Sequence, residues 1–325
     1  MGGDHAPEEI VAGALLAAEQ VDAAISLAGD PDAIAACIGD AAPEHIEVEP
    51  AHDVIAMGES PRAALRGRDD TSLARAVDQV AHGDAQAVVS AGNSGAFMAL
   101  SVMRLGTIAG VRRPAIAVTM PTADGHRVLL DAGANADCRP EHLVDFGLMG
   151  SVYAQNTLGI DNPRVGLLSI GEEKGKGNEL TKATHELLEV ADLNFCGNVE
   201  GGDVFGGKCD VIVCDGFVGN VVLKVTEGAA GLLFRQIRAA VEQSQELRPL
   251  ASQLAGALRD VADRFDASEY GGALLLGVNG VSIVGHGCSD AKAVRNAIRV
   301  AHRAVEGRLV EHLRAIFAQR AGENA

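Results

Sequence analysis

Short apolar runs that stop at glycine or aspartate recur along the chain: Ile25 to Asp30, Ala87 to Gly92, Val128 to Gly133, Val165 to Gly171 and Asp210 to Gly216. Runs that are apolar at nearly every position, rather than at every second one, belong to strands buried on both faces. Stretches with helical spacing lie between them. Pro7 to Gln20 carries Pro7, Glu8 and Glu9 in a first turn, then Ile10, Val11, Ala14, Leu15 and Ala18 on one face. Asp290 to about Phe317 repeats that spacing at Val294, Ile298, Ala301, Val305, Leu309 and Leu313. Strands alternating with helices predict an α/β fold, a mostly parallel sheet covered by helices on both faces. Neither a linker nor an internal repeat interrupts the pattern, so residues 1–325 read as one α/β unit. Residues 232–265 stand out within it as a protruding helical hairpin broken near Pro249, with Arg235, Arg238, Arg248, Arg259 and Arg264 among apolar side chains. An ordinary packed hairpin and a contact surface for a second subunit, a carrier protein or a membrane fit this pattern equally.

Composition narrows the function. The formal net charge is −17 and aromatic residues make up 3% of the chain, which argues against nucleic acid as a partner. Six cysteines without a CxxC pair, and no secretory leader, read as reduced thiols of a cytoplasmic protein. Scattered histidines and the absence of an HExxH pattern give no metal site. No uninterrupted apolar run approaches the ~18 residues that span a bilayer. The longest weakly polar stretch, Gly271 to Gly287, is broken by Asn279, Ser282 and His286.

In a parallel sheet, ligands bind beyond the C-terminal ends of the strands, and that is where the glycine clusters fall. Five loops are candidates. The richest follows Val165–Ile170: Gly171-Glu-Glu-Lys174-Gly175-Lys176-Gly-Asn178, leading into a helical segment. Strand, glycine loop and helix bring backbone N–H groups and a helix N-terminus onto an anion, and two lysines add mobile positive charge. The others are Gly2-Gly3-Asp4-His5, Ser90-Ala-Gly92-Asn93-Ser94-Gly95, Asp131-Ala-Gly-Ala-Asn135-Ala-Asp137 and Asp215-Gly-Phe-Val-Gly-Asn220. Asn198 and Asn279 sit in glycine-rich surroundings of similar content. Each loop alone is an ordinary capped turn; together they form a rim. No GxGxxG opens the first βα unit, and GxxxxGK[ST] and GxSxG are absent, so dinucleotide, P-loop and serine-hydrolase readings are weak. Ser94 reads as a helix N-cap rather than a nucleophile.

Taken in order, these motifs, with Gly197-Asn-Val-Glu-Gly201, Tyr270 to Gly280 and His286-Gly-Cys-Ser289, resemble the bacterial phosphate acyltransferase family, PlsX, from Met1 to about Ala304. The resemblance implies transfer of a fatty acyl group from acyl carrier protein to inorganic phosphate, yielding acyl phosphate for phospholipid synthesis. It further implies a fold similar to isocitrate and isopropylmalate dehydrogenases, a homodimer, no cofactor, and contact with the membrane surface or a membrane acyltransferase. The positions matching Lys176 and Asn220 look essential in the family and are expected to be catalytic. Gly3, Asp4, His5, Gly92, Asn93, Ser94, Asn135, Lys174, Gly175, Asn178, Asn198, Asp215 and Asn279 are expected to line the phosphate and acyl loops. Arg62, Arg66 and Arg68, or the hairpin arginines, are expected to dock the acidic carrier. The family carries a short apolar strand ahead of Gly2, so weak packing is expected around the first loop and an N-terminally extended chain should be more stable. A nicotinamide-dependent decarboxylating dehydrogenase, a short-chain phosphotransacetylase and a non-catalytic membrane scaffold are the alternatives.

Overall fold

A computed structural model describes the chain except residues 40–42, 44, 62–64, 66, 123–124, 246, 266 and 324–325. Its first part runs α1 (Glu8–Ala18), β1 (Ile25–Gly29), α2 (Pro31–Ile38), β2 (Ile46–Pro50), α3 (Ser72–His82), β3 (Ala87–Ser90) and α4 (Ser94–Leu105). Next come β4 (Ala115–Thr122), β5 (Gly125–Leu130), α5 (Pro140–Leu158), β6 (Val165–Leu168), α6 (Glu179–Glu189), β7 (Phe195–Val199) and β8 (Val211–Val213). The last part comprises α7 (Gly216–Gln243), α8 (Ala251–Phe265), β9 (Ala273–Leu276), β10 (Val281–Val284), α9 (Ala291–Glu306) and α10 (Leu309–Glu323).

Eight strands form the main sheet in the order β3-β10-β9-β4-β5-β8-β6-β7, while β1 and β2 pair in parallel as a separate ribbon. The burial of β5 explains its unbroken apolar run. Val128 and Leu130 point into one core with Phe146 and Met149 of α5, whereas Leu129 points into another with Ile212 of β8. Both faces are dry, so neither needs polar residues. A third core packs Val77 of α3 and Phe97 of α4 against Val88 and Leu275. Local signals close the helices: Thr71 caps α3, and Gly83 and Gly159 end α3 and α5 in the left-handed conformation.

The sheet is parallel at its two ends and antiparallel in the middle. Pairs β3–β10, β5–β8, β8–β6 and β6–β7 are parallel; β10–β9, β9–β4 and β4–β5 are antiparallel. Loops after β5, β8, β6 and β7 therefore share one edge of the sheet, and those after β3 and β10 lie at the other.

Two expectations about helices are corrected. Gly216–Asn220, read as loop, is the first turn of α7. Asp215 caps it by accepting from Val218 N at 2.9 Å, and a Cβ on Gly219 would stand 1.9 Å from the Asp131 carbonyl oxygen. These glycines serve close helix packing, not a free loop. The hairpin helix thus begins at 216 instead of 232, and the chain breaks between Gln243 and Ala251. At 28 residues α7 is long and apolar enough to cross a bilayer, with 6% of its most apolar stretch buried. Lys224, Glu227, Arg235 and Arg238 interrupt its apolar runs, which hid this in the sequence.

Candidate active site

The lysine loop is bolted down from behind. Asn198, buried on β7, donates to the Glu173 carbonyl oxygen at 3.0 Å, and its Oδ1 meets His185 Nδ1 at 2.8 Å. His185, buried on α6, has Nε2 at 3.3 Å from Glu189, whose other oxygen pairs with Lys174. The ammonium of Lys174 holds the Glu189 carboxyl below the usual carboxylate range. Lys174 is therefore neutralised locally. Lys176 is exposed and has no ion-pair or hydrogen-bond partner for its side chain among the described residues. Gly175 is exposed beside it, and Asn178 caps α6 by accepting from Thr181 N at 2.9 Å.

The loop after β5 is organised by Asp131, which is fully buried. Its carboxylate accepts from the backbone N–H groups of Ile116, Gly133, Ala134 and Asn135 and from Asn135 Nδ2. Burial pushes this carboxyl above its ordinary range, against donors that favour the ionised form. Asn135 also donates to Pro114 O at 2.8 Å and accepts from Gly216 N at 2.8 Å, joining this loop to the start of α7. Gly133 follows with φ +141°, and a Cβ there would sit 3.7 Å from the Asn220 side chain.

At the other edge, three segments converge. Gly2 is so close to Gly92 that a Cβ on it would lie 2.8 Å from the Gly92 Cα, and Asp4 N donates to Gly287 O at 2.7 Å. The first loop is in close contact on both sides, where weak packing was expected. Gly3 adopts φ +114° between Ala91 and Gly287, and the His5 carbonyl accepts from Glu9 N as α1 begins. Asn93 is the N-cap of α4 in place of Ser94: its Oδ1 accepts from Ala96 N, and its Nδ2 reaches the carbonyls of Ala56, Met57 and Glu59. Ser94, the first helical residue, is exposed.

An open groove of about 1800 Å³ lies along α7, with Asp4, Ser94 and Asn220 in its wall and Met98, Ile116 and Val118 supplying apolar surface. The lysine loop follows β6, the neighbour of β8 from which α7 and Asn220 spring, so Lys176 and Asn220 share an edge without sharing that groove. Asn279 stands apart. It precedes β10, at the end opposite His286, and holds Thr107 O at 3.0 Å and Arg314 Nε at 3.1 Å. These bonds hold its side chain in the turn before β10. Asp131 and His185 were missed as organisers because a buried carboxylate and a helix-face histidine carry no distinguishing local pattern. Of the expected docking arginines, Arg62 and Arg66 lie outside the described residues, as do the side chains of Arg248 and Arg264. Arg68 is paired with Asp53 and Glu59. Among the described residues, no group of three or more His, Cys, Asp or Glu could hold a metal ion.

The model of the fatty acid synthesis protein family matches residues 1–312. The chain belongs to that family. A phosphate acyltransferase from Desulfitobacterium hafniense is 49% identical over 316 residues, covering 97% of this chain and 95% of the relative. One from Pelotomaculum thermopropionicum is 52% identical over 315 residues, covering 97% and 92%. Among solved structures, a phosphotransacetylase from Streptococcus pyogenes superposes with TM-score 0.59 at 16% identity, covering 92% of each chain. The EutD phosphotransacetylase from Staphylococcus aureus gives 0.58 at 14% identity, covering 90% of this chain and 89% of its own. Those two likenesses establish the fold.

Proposed function

We propose that this acyltransferase moves a fatty acyl group from acyl carrier protein to inorganic phosphate, releasing acyl phosphate for phospholipid synthesis. The near full-length similarity to phosphate acyltransferases carries the reading. The groove supports it, because an apolar wall beside polar loops suits an acyl chain whose thioester must meet an anion.

Phosphate is a nucleophile at neutral pH, so no covalent enzyme intermediate is needed. A phosphate oxygen forms the new C–O bond as the C–S bond breaks. The proton of the attacking hydrogen phosphate ends on the departing thiolate, whose conjugate acid has a pKa of about 8.5 and needs little help to leave. The protein's work is to hold a dianion against the thioester and to stabilise the developing oxyanion. Lys176, exposed and without a side-chain partner among the described residues, is the mobile cation. Asn220, held in the first turns of α7 beside Gly133, donates to the oxyanion. Gly175 and the α6 N-terminus supply backbone N–H groups.

The partners follow from the surface. Phe217, Val225, Leu232 and Leu233 of α7 are 52–65% exposed, a side of the helix suited to a second copy of the chain. Arg235 and Arg259, exposed on the hairpin, offer an acidic carrier a basic patch despite the net charge of −17. A cytoplasmic enzyme touching the membrane surface through this hairpin fits the same features.

The test is deacylation of palmitoyl-acyl carrier protein by the purified protein, with and without phosphate, repeated with acetyl to long-chain donors. Phosphate-dependent loss of the long-chain thioester is expected. Loss independent of phosphate, or of short chains alone, overturns the reading.

A further inference from the structure

The groove contains a cluster that the reading above leaves unused. Asn220, Lys224 and Glu227 recur at i, i+4 and i+7 and line the groove with Leu223 and Thr226, while Val221 and Val225 of α7 are exposed. Lys224 Nζ bonds Glu227 Oε2 at 2.9 Å and approaches His286 Nε2 at 3.4 Å. His286 Nδ1 lies 3.1 Å from Cys288 Sγ. An ammonium only donates, so His286 Nε2 is the acceptor in its contact with Lys224.

The turn carrying His286 is built to hold it there. Gly285 N donates to Ser90 O at 2.7 Å, Asp4 N to Gly287 O at 2.7 Å, and Ser289 Oγ to the His286 carbonyl at 2.6 Å. A Cβ on Gly285 would lie 3.2 Å from Ser90 O, a tight approach of the turn to β3. Three segments thus fix an imidazole opposite a lysine on a helix that packs elsewhere. Glu227 and His286 occupy two of the three ammonium donors. The half-exposed Lys224 side chain lines the groove about one helical turn on from Asn220.

We propose that Lys224 is the fixed cation that receives inorganic phosphate in the Asn220 groove, with His286 as the positioning residue that aims it. The inference rests on the phosphate acyl-transfer reading. Glu227, paired with Lys224, tempers its charge and opposes phosphate entry.

Steady-state kinetics with phosphate and acyl-carrier thioester varied separately tests this, with folding followed by thermal melting. Lys224→Met should raise the KM for phosphate by about tenfold or more, the worth of one charge-assisted contact, and leave the KM for the thioester within about twofold. His286→Gln should show the same split at smaller size, and Glu227→Gln should lower the phosphate KM. If Lys224→Met does not fold, Lys224→Gln and Lys224→Arg replace it, and Arg must restore the phosphate KM relative to Gln. A phosphate KM unchanged in the Lys224 variants, or an equal rise for both substrates, overturns the site. Phosphate-dependent wild-type turnover together with an unchanged phosphate KM in the Lys224 variants would leave the acyl-transfer reading standing without this site. Wild-type turnover with no phosphate dependence removes the reading itself.

Discussion

Asn198 and Glu173 are joined by a 3.0 Å hydrogen bond from the buried side-chain amide to the backbone carbonyl, and through it β7 fixes the lysine loop. The other side of that amide is held by His185 at 2.8 Å. Asn198→Ala leaves a buried histidine and a carbonyl without their partner. Urea unfolding should show a loss of about 2 kcal/mol, and turnover should fall because the loop loses its anchor. Unchanged stability would mean that the loop is held some other way.

Lys174 and Lys176 should behave differently although only Gly175 separates them. Lys174 is paired with Glu189 at the surface, where solvent screens the interaction. Lys174→Ala is expected to keep most activity, whereas Lys176→Ala loses most phosphate-dependent turnover with an unchanged melting temperature. Comparing initial rates of the two variants decides the matter.

Asp131→Asn tests the loop after β5. The amide must turn one N–H toward backbone donors that now meet a carboxylate, costing about 2–4 kcal/mol in denaturant unfolding. The loop positions Gly133 beside Asn220, so the remaining folded enzyme should have a reduced kcat.

Cys196 should be the most reactive thiol. A hydrogen bond from Cys209 lowers its pKa to about 7, and the Arg164 guanidinium adds to this against the effect of burial. Iodoacetamide labelling of Cys196 should therefore set in at lower pH than that of an ordinary thiol and then level off. Burial pushes Cys138 up to about 12, so peptide mapping should find it unmodified where Cys196 is labelled.

Leu233→Glu, with Leu232→Glu as its companion, tests the exposed side of α7. Light scattering should show a dimeric wild type and a monomeric double variant with unchanged secondary structure. A double variant that stays dimeric moves the subunit contact elsewhere.

The main-sheet strands from Ala87, Val128, Val165 and Asp210 were legible because burial on both faces leaves a continuous apolar run. The antiparallel centre was not, because β9 and β10 are equally apolar and nothing local records the direction of a partner. The five loops were legible as glycine clusters. Their division of labour was not: Asn93, Asn178 and Asp215 all resemble ligand groups, yet each accepts a bond from a helix N–H three residues on. Capping and binding use the same short polar side chains, so the pattern is shared.

The sequence by itself determined a doubly covered α/β sheet and a glycine loop with two lysines, since strand burial and loop chemistry are written in consecutive residues. Tertiary structure decided which groups are free to act. It paired Lys174 with Glu189, left Lys176 exposed, sent Asn279 to the far end of β10, and brought Lys224 to His286 across 62 positions. A side chain's availability depends on neighbours supplied by distant segments, and those become neighbours only when the sheet is assembled.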